Sequence, residues 1–480
     1  MTPEVILSVC EESAEATARR LRAVPPGCAR VEIRADRLRA SDIAGLVARS
    51  PRPVLVAARR FEEGGRFDRS EPEREEILSA ALAAGAWIDV EWGSAAAALA
   101  EGRAAERVVL SRHGDPCHLP SLLSVYQDMA GTRARHLKLV PRADRPSQGA
   151  AVRALLAGAR QDGRALACFA LGEAGTATRI LALAWGSWAT YGSAERGAST
   201  AEGQLPASTL LDVFGALSLG EHTRRYGLVG APLARSPSPA MHHAGYRALG
   251  LDACYLPFPT DDPEEVQALV PAYGLAGFGV TIPLKEVLAS RCALADAVSS
   301  AAGAVNTITV GDRGWAGYNT DGPAARALLA GVLDLAGARA LLLGAGGTAA
   351  GIGAALRAAG ARVTVCGRTA ERARALARRI GAAALPWAER AGVEWDVLVQ
   401  ATPLGGQGEE VLPRASLQGQ AVLDAAYGEG TTPLVADARA RGLTAFTGRD
   451  LLVAQGALQF ARLTGREIAV GVLRDAAGVA

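Results

Sequence analysis

The chain has 480 residues, 49 % of them hydrophobic, 5 % aromatic and 21 % charged, with a formal net charge of +2. That length exceeds one ordinary core and sets an expectation of two or three domains. Arginines and acids are interspersed along the chain, which excludes the basic stripe with interleaved aromatics of a nucleic-acid groove.

The N-terminus, "MTPEVILSVCEESAEATARRL", runs straight into an apolar strand and an acidic helix start, a pattern unlike a signal peptide. From there to about residue 205, short apolar runs alternate with Ala- and Arg-rich helical stretches. The runs are "VILSVC" (5–10), "RVEIR" (30–34), "PVLVAAR" (53–59), "WIDVEW" (87–92), "RVVLSR" (107–112), "HLKLV" (136–140) and "ALACFAL" (165–171), with an eighth expected around "AERGAST" (194–200). Strand and helix in alternation mean a parallel sheet, and eight units in ~200 residues predict a closed (β/α)8 TIM barrel, overall α/β.

Polar residues stand at the same end of successive runs: Glu32 and Arg34 at the second, Arg59 at the third, Glu91 at the fourth, His113 at the fifth and Lys138 at the sixth. Barrel chemistry is expected at the C-terminal ends of the strands, so these side chains predict one pocket. "SRHGDPCHLP" also crowds His113, Asp115, Cys117 and His118 together, but it lacks the second ligand pair of a typical zinc site, and no metal is expected. Seven scattered cysteines without a CxxC pair read as reduced thiols of a cytoplasmic protein.

Around "SLGEHTRRYGLVG" (218–230) one pattern stops and another starts, which puts a boundary near residue 222. Farther on, "RALLLGAGGTAAGIGAAL" joins an apolar strand, a glycine turn and a helix. It is a G-x-G-x-x-A dinucleotide fingerprint: Gly344 for the tight turn, Gly346 for backbone approach to a pyrophosphate and Ala349 for helix packing. Its uncharged length, Ala340 to Leu356, is too short and too glycine-rich for a membrane helix. The next strand, "RVTVC" (362–366), ends in Gly367, Arg368 and Thr369, where an NAD enzyme would usually carry an acid. A guanidinium there suits a 2′-phosphate, so NADP is expected.

The basic residues contain one further signal. Of 51, only Lys138 and Lys285 are lysine. Arginine holds its proton at physiological pH, whereas lysine can act as nucleophile or acid, so both positions are candidates for chemistry.

The first half, through "VEIRAD", "ARRFEEGG", "IDVEW", "SRH", "HLKL" and "TRI…WGS…AEGQL", resembles type I 3-dehydroquinate dehydratase. The resemblance implies a Schiff base on Lys138, proton transfer by His113, and Glu63 orienting that histidine. It also implies substrate contacts from Glu32, Arg34, Arg59, Arg179, Thr200 and Gln204. Glu202 departs from the proline common in that family.

The second half resembles shikimate dehydrogenase from about residue 225. "GLVGAPLARSPSPAMHHAGY" implies substrate-carboxylate hydroxyls at Ser236 and Ser238, with Arg235 where histidine is usual. "GFGVTIPLKE" implies Thr281 and Lys285, with Gly279 in place of Asn or Ser; "AGAVNT" implies Asn306 and "GYNTDG" implies Asp321, the proton-transfer partner of Lys285. Tyr427 and Gln455 match further substrate contacts. The cofactor side implied is Gly344, Ala345, Gly346, Gly347, Thr348, Ala349, Arg368, Thr369, Arg372, Thr402 and Gly448, with Gln400 and Gly367 each replacing an asparagine.

The domains expected are a barrel (1–220), a substrate domain (225–325), a Rossmann NADP domain (326–450) and C-terminal helices returning to the substrate domain (451–480). The implied function is bifunctional, dehydration of 3-dehydroquinate and then NADPH-dependent reduction of 3-dehydroshikimate to shikimate. Its partners are these small molecules, with no nucleic acid and no membrane. The alternatives are a non-catalytic metabolite sensor on the same folds and a dehydrogenase half that prefers quinate, which differs mainly by one hydroxyl.

Overall fold

The computed structural model describes every residue except 1, 103, 406–408, 427–429 and 479–480. It divides into two compact units: Met1–Arg224 with Asp252–Thr260 and Glu264–Gly274, and the remainder.

In the first unit, eight strands follow one another in parallel: β1 (Glu4–Val9), β2 (Arg30–Arg34), β3 (Val54–Ala57), β4 (Trp87–Glu91), β5 (Val108–Pro116), β6 (His136–Arg142), β7 (Ala165–Cys168) and β8 (Ala189–Ser193). Ladders run from β7 back to β1, and β1 also pairs with β8. At the seam, Trp188 N donates to the Leu166 carbonyl at 3.2 Å. The result is the expected TIM barrel.

Its last strand is not where the sequence placed it. Residues 194–200 form a loop, and the strand is "ATYGS", just upstream. Glycine and serine hide this short run. Gly192 is required there because a Cβ would lie 2.5 Å from the Ala207 Cα.

Side chains two apart on a strand share a face, which sorts the barrel interior into layers. His136 sits one layer below Lys138, packed between Trp87 at 4.5 Å and Trp188 at 5.2 Å, with the Arg30 guanidinium over Trp87 at 4.1 Å. This aromatic layer closes the floor under the lysine.

The first unit also takes in β10 (Ala253–Pro259) and most of the helix Pro263–Tyr273. Buried Glu265 accepts hydrogen bonds from Ser147 N at 2.5 Å and Ser147 Oγ at 3.0 Å. Tyr273 Oη donates to the Pro146 carbonyl at 2.9 Å. A buried carboxylate needs such donors, and here they come from the loop after β6.

The second unit holds two sheets. In one, β9 (Arg224–Gly230) runs parallel to β11 (Leu275–Val280), which pairs antiparallel with β13 (Thr307–Gly311); β14 (Gly314–Tyr318) pairs antiparallel with β13 and parallel with β12 (Ala293–Leu294). The other is fully parallel, in the order β17 (Ala383–Pro386), β16 (Arg362–Gly367), β15 (Arg339–Leu343), β18 (Val397–Gln400), β19 (Ala421–Asp424), β20 (Thr444–Phe446). This is the doubly wound order whose switch point, between β15 and β18, receives dinucleotides.

The helix Gly448–Thr464 starts at a capping box of Thr447 and Asp450, with bonds of 2.7 to 3.1 Å. It runs back to the first of these sheets. There Gln459 Nε2 donates to the Asn306 carbonyl at 2.9 Å, and Tyr226 Oη donates to the Leu463 carbonyl at 2.8 Å.

Candidate active sites

At the C-terminal mouth of the barrel lies a cavity of about 280 Å³, lined by Lys138, His113, Glu63, Glu32, Arg34, Arg59, Arg179, Thr200 and Gln204 among others. All nine residues implied for the barrel therefore share one chamber. Lys138 Nζ donates to Asp89 Oδ2 at 3.0 Å and to Glu32 Oε1 at 3.2 Å, and it lies 4.0 Å from the centre of the Tyr191 ring. Ser8 Oγ donates to the other Glu32 oxygen and lies 2.9 Å from Thr200 Oγ1.

Arg59 is the hub beneath. Its Nη2 donates to Asp89 Oδ1 at 2.7 Å and its Nη1 to Ser111 Oγ at 2.8 Å. Burial pushes the Asp89 pKa up, but the Arg59 and Lys138 cations overcome this and hold it below the usual carboxylate range.

Glu63 is delivered by a turn after β3. Gly64 adopts φ +76°, and a Cβ on Gly65 would sit 2.0 Å from the Arg59 carbonyl oxygen, so both glycines serve the turn. Glu63 Oε2 lies 3.0 Å from His113 Nδ1. Burial pushes the Glu63 carboxyl up to about 7, against the opposing charge of Arg59. Burial, then the Arg59 and Lys138 cations, push His113 well below the ordinary histidine range. The ring is therefore neutral at neutral pH. With Nδ1–H toward Glu63, the other ring nitrogen is a base.

Arg179 is 1 % exposed, with its guanidinium 4.8 Å from the Phe169 ring centre and Nη2 donating to the Glu202 carbonyl at 3.2 Å. No carboxylate stands within ion-pair distance of it among the described residues, and burial lowers its pKa to about 10. A buried cation without a counter-charge at a cavity wall is a site for an anionic ligand. Arg34, by contrast, is held by Asp36 at 2.7 Å and donates to the Thr200 carbonyl at 3.4 Å.

Residues 199–204 cover the mouth. Gln204 Oε1 accepts from Thr200 N at 2.8 Å. Glu202 is met by Arg142 of β6 at 2.9 Å, which offsets the charge it brings near the cavity.

In the second unit, Lys285 Nζ donates to Asp321 Oδ2 at 2.5 Å and to Thr348 Oγ1 at 2.9 Å. Asn306 Nδ2 donates to Asp321 Oδ1 at 2.9 Å and to Thr320 Oγ1 at 2.8 Å, and it lies 3.2 Å from Gln455 Oε1. Six residues from five stretches of sequence thus form one polar network. The loop with Ser236 and Ser238 is placed beside Thr281 by backbone bonds from Ala231 N to Ile282 O and from Thr281 N to Val229 O, both 2.9 Å. Ser238 is buried at the start of the helix Ser238–Leu249. Tyr427 lies outside the described residues.

The cofactor side meets its structural demands. Gly344 has φ +123°, and a Cβ there would strike the Ala401 carbonyl at 2.5 Å. A Cβ on Gly346 would meet nothing within 4 Å, which leaves open space at the N-terminus of the helix Gly347–Ala358. Open backbone at a helix N-terminus fits a pyrophosphate. Ala349 is fully buried in the core of this sheet. Arg368, Thr369 and Arg372 lie exposed at the end of β16 and on the helix that follows. Gln400 braces the loop after β18 by donating to Thr402 Oγ1 at 2.9 Å and to the Leu404 carbonyl at 2.6 Å. A Cβ on Gly448 would meet the Ala426 carbonyl at 2.6 Å. These residues fit NADP.

Sequence reading missed Asp89, Ser8, Ser111, Tyr191 and Arg142 in the barrel, and Thr320 in the second unit. A signal existed for Asp89, since "WIDVEW" puts it two positions from Glu91 and hence on the same inward face. Glu91 is held by an ion pair with fully buried Arg74 and lies 3.5 Å from Arg59 Nη1. The four side chains considered for a metal turn to separate partners: His113 to Glu63, Asp115 to Arg112, Cys117 to the Gln148 carbonyl and His118 to Ser121.

A lysine held among carboxylates at the mouth of a barrel, joined to a lysine–aspartate pair beside a dinucleotide cradle, defines a lyase fused to an oxidoreductase. The family model for type I 3-dehydroquinase matches residues 5–221. Those for the shikimate dehydrogenase substrate binding domain and for shikimate / quinate 5-dehydrogenase match 228–308 and 326–406. The shikimate dehydrogenase (NADP(+)) of Anaeromyxobacter dehalogenans is 40 % identical over 258 residues, 51 % of this chain and 92 % of that protein. The chloroplastic bifunctional 3-dehydroquinate dehydratase/shikimate dehydrogenase of Arabidopsis thaliana is 28 % identical over 469 residues, 91 % of this chain and 77 % of that one. A solved shikimate dehydrogenase in complex with NADP+ is 29 % identical, with a TM-score of 0.50 over 54 % of this chain and 96 % of that one. The chain belongs to the shikimate dehydrogenase family and carries a type I 3-dehydroquinase domain ahead of it.

Proposed function

We propose that Lys138 and Lys285 are the working groups of two successive reactions, dehydration of 3-dehydroquinate to 3-dehydroshikimate and reduction of that product to shikimate. In the barrel, Lys138 Nζ sheds a proton, turns from Asp89 and Glu32, and attacks the C3 ketone; water leaves and an iminium forms. His113 takes the C2 proton, the electrons move into the iminium, and His113 returns that proton to the departing C1 hydroxyl. Hydrolysis of the imine frees Lys138. Arg179 and Arg34 hold the substrate carboxylate, and Thr200 and Gln204 close over it.

In the second unit, Ser236, Ser238 and Thr281 bind the substrate carboxylate and its neighbouring hydroxyls. Bound NADPH supplies a hydride. Lys285 gives a proton to the oxygen of the ketone being reduced, and Asp321, fixed by Asn306, keeps the lysine aimed there. Arg368, Thr369 and Arg372 hold the 2′-phosphate side of the cofactor.

The observation that carries this reading is that the only two lysines of the chain each stand in a proton-transfer cluster, one per unit. None of the seven cysteines is in a disulfide, which supports a reducing compartment, the cytoplasm. No helix of the described residues is long and apolar enough to cross a membrane.

The test is consumption of NADPH by the purified chain given 3-dehydroquinate, beside Lys138→Arg given 3-dehydroquinate and then 3-dehydroshikimate. Wild type consumes NADPH from both, and the variant only from the second. Binding of both substrates without turnover by wild type would sink the reading in favour of a sensor, and faster turnover of quinate than of shikimate in the reverse direction would reassign the second site.

A further inference from the structure

Lys285 and Glu286 open the short helix Lys285–Ala289 and look at the cofactor cradle from its substrate side. Lys285 touches the cradle through Thr348 Oγ1 at 2.9 Å, and a Cβ on Gly347 would lie 2.7 Å from the Lys285 Cβ. Glu286 touches it at a second place. Its Oε1 accepts from Arg372 Nη2 at 3.0 Å, and Arg372 stands on the helix Ala370–Ile380 that begins directly after β16. Both side chains are partly exposed, 58 % for Arg372 and 41 % for Glu286.

We infer that Glu286 is a specificity-determining residue for the cofactor, setting the affinity for a 2′-phosphorylated nucleotide by competing for Arg372. This rests on the reading of Arg372 as part of the 2′-phosphate side. The argument is electrostatic. Arg372 cannot lose its proton, so it always seeks an anion, and Glu286 supplies one within the protein. A 2′-phosphate brings nearly two negative charges and can take the same guanidinium in a fork geometry. To do so it must displace the Glu286 carboxylate, which also repels it. Both effects weaken phosphate binding, and a nucleotide without the 2′-phosphate feels neither.

The pair also has a consequence for the reaction. Glu286 is the residue next to Lys285, so the contact that the phosphate breaks is made by the helix that presents the proton donor. Neither residue's neighbours cancel the competition. Arg368 is a second exposed cation at the end of β16, and Glu371 is engaged by Arg374 at 3.9 Å.

Because the pair is solvent-exposed, the effect is modest, about two- to fivefold in affinity at low ionic strength. The experiment is calorimetric titration of the full chain with 2′,5′-ADP and with 5′-AMP, for wild type, Glu286→Gln, Arg372→Met and the double variant. The expected result is tighter binding of 2′,5′-ADP by Glu286→Gln, no change for 5′-AMP, and a smaller gain from Glu286→Gln once Arg372 is methionine, where only the repulsion is relieved. Unchanged or weaker 2′,5′-ADP binding by Glu286→Gln, while Arg372→Met still selectively weakens 2′,5′-ADP, overturns the inference alone. If Arg372→Met weakens neither probe, the phosphate-side reading of Arg372 fails, and the inference falls with it.

Discussion

Lys138 Nζ donates to one oxygen of Asp89 at 3.0 Å while Arg59 Nη2 donates to the other at 2.7 Å, so a single buried carboxylate answers two buried cations. Removing that charge leaves Lys138 with Glu32 alone and Arg59 with only the longer contacts to Glu91 and Glu63, where water cannot reach them. Asp89→Asn keeps the shape, yet it is expected to destabilise the barrel by about 3–5 kcal/mol. Denaturant unfolding followed by loss of dehydratase activity measures this. A change below about 1 kcal/mol, the scale of an exposed pair, would show that Asp89 is not the counter-charge described. The depressed Asp89 pKa contributes stability at all pH values above the unfolded carboxylate value, which is lost only as pH falls toward the folded one.

Glu63 and His113 titrate in opposite senses. The Glu63 carboxyl is raised to about 7, so the folded state holds its proton more tightly than the unfolded chain does. Its contribution to stability therefore declines as pH rises from the ordinary carboxylate value to about 7. His113 is depressed, and its contribution is lost as pH falls below the ordinary histidine value. Ionised Glu63 can only accept from Nδ1 and so leaves the other nitrogen as base, whereas a protonated carboxyl can donate to Nδ1 and reverse the tautomer. The dehydratase rate is thus expected to climb through about pH 7 in wild type. In Glu63→Gln that limb should flatten, with a smaller loss of rate than the ~10²–10⁴-fold expected for His113→Ala. An unchanged limb in Glu63→Gln would assign the ionisation elsewhere.

What the sequence discloses depends on how local the physical demand is. Gly344 and Gly346 are legible because a tight turn and an open helix N-terminus are requirements of a few consecutive residues. Lys138 and Lys285 stand out in the sequence through their rarity. Asp89 is legible only in part: its two-residue spacing from Glu91 puts both on one face of "WIDVEW", but that this face looks inward is decided by closure of the whole barrel. The eighth strand is missed for a related reason, since "ATYGS" becomes a strand only by pairing with β1. Helix Pro263–Tyr273 follows its buried Glu265 to donors more than a hundred residues away, and no short-range pattern announces that.

The loop over the barrel mouth carries Glu202 against Arg142 at 2.9 Å, with both side chains about half exposed. An exposed pair contributes at most ~1 kcal/mol and is screened by salt. Glu202→Gln frees Arg142 for the substrate carboxylate and removes a like charge beside it, while the backbone carbonyl bonded to Arg179 remains. The KM for 3-dehydroquinate is expected to fall about two- to fivefold at low ionic strength, a gain that fades as salt is added. A rise in KM that persists in high salt would mean that the pair holds the loop in shape.

Lys285 donates to Asp321 and to Thr348, and Asp321 is fixed in turn by Asn306. Replacing Lys285 by arginine keeps a cation beside Asp321, so the buried carboxylate is not stranded and the fold should survive. What disappears is the ability to give up a proton to the oxygen being reduced, because a guanidinium does not deprotonate near neutral pH. Loss of a general acid slows a reaction by roughly 10²–10⁴-fold. Lys285→Arg, given 3-dehydroquinate and NADPH, should therefore accumulate 3-dehydroshikimate while the dehydration rate stays at the wild-type level. Chromatography of the products over time reads both steps at once. Shikimate formed at more than about a tenth of the wild-type rate would mean that the proton comes from another group, and Lys285 would then serve only to hold Asp321 and Thr348 together.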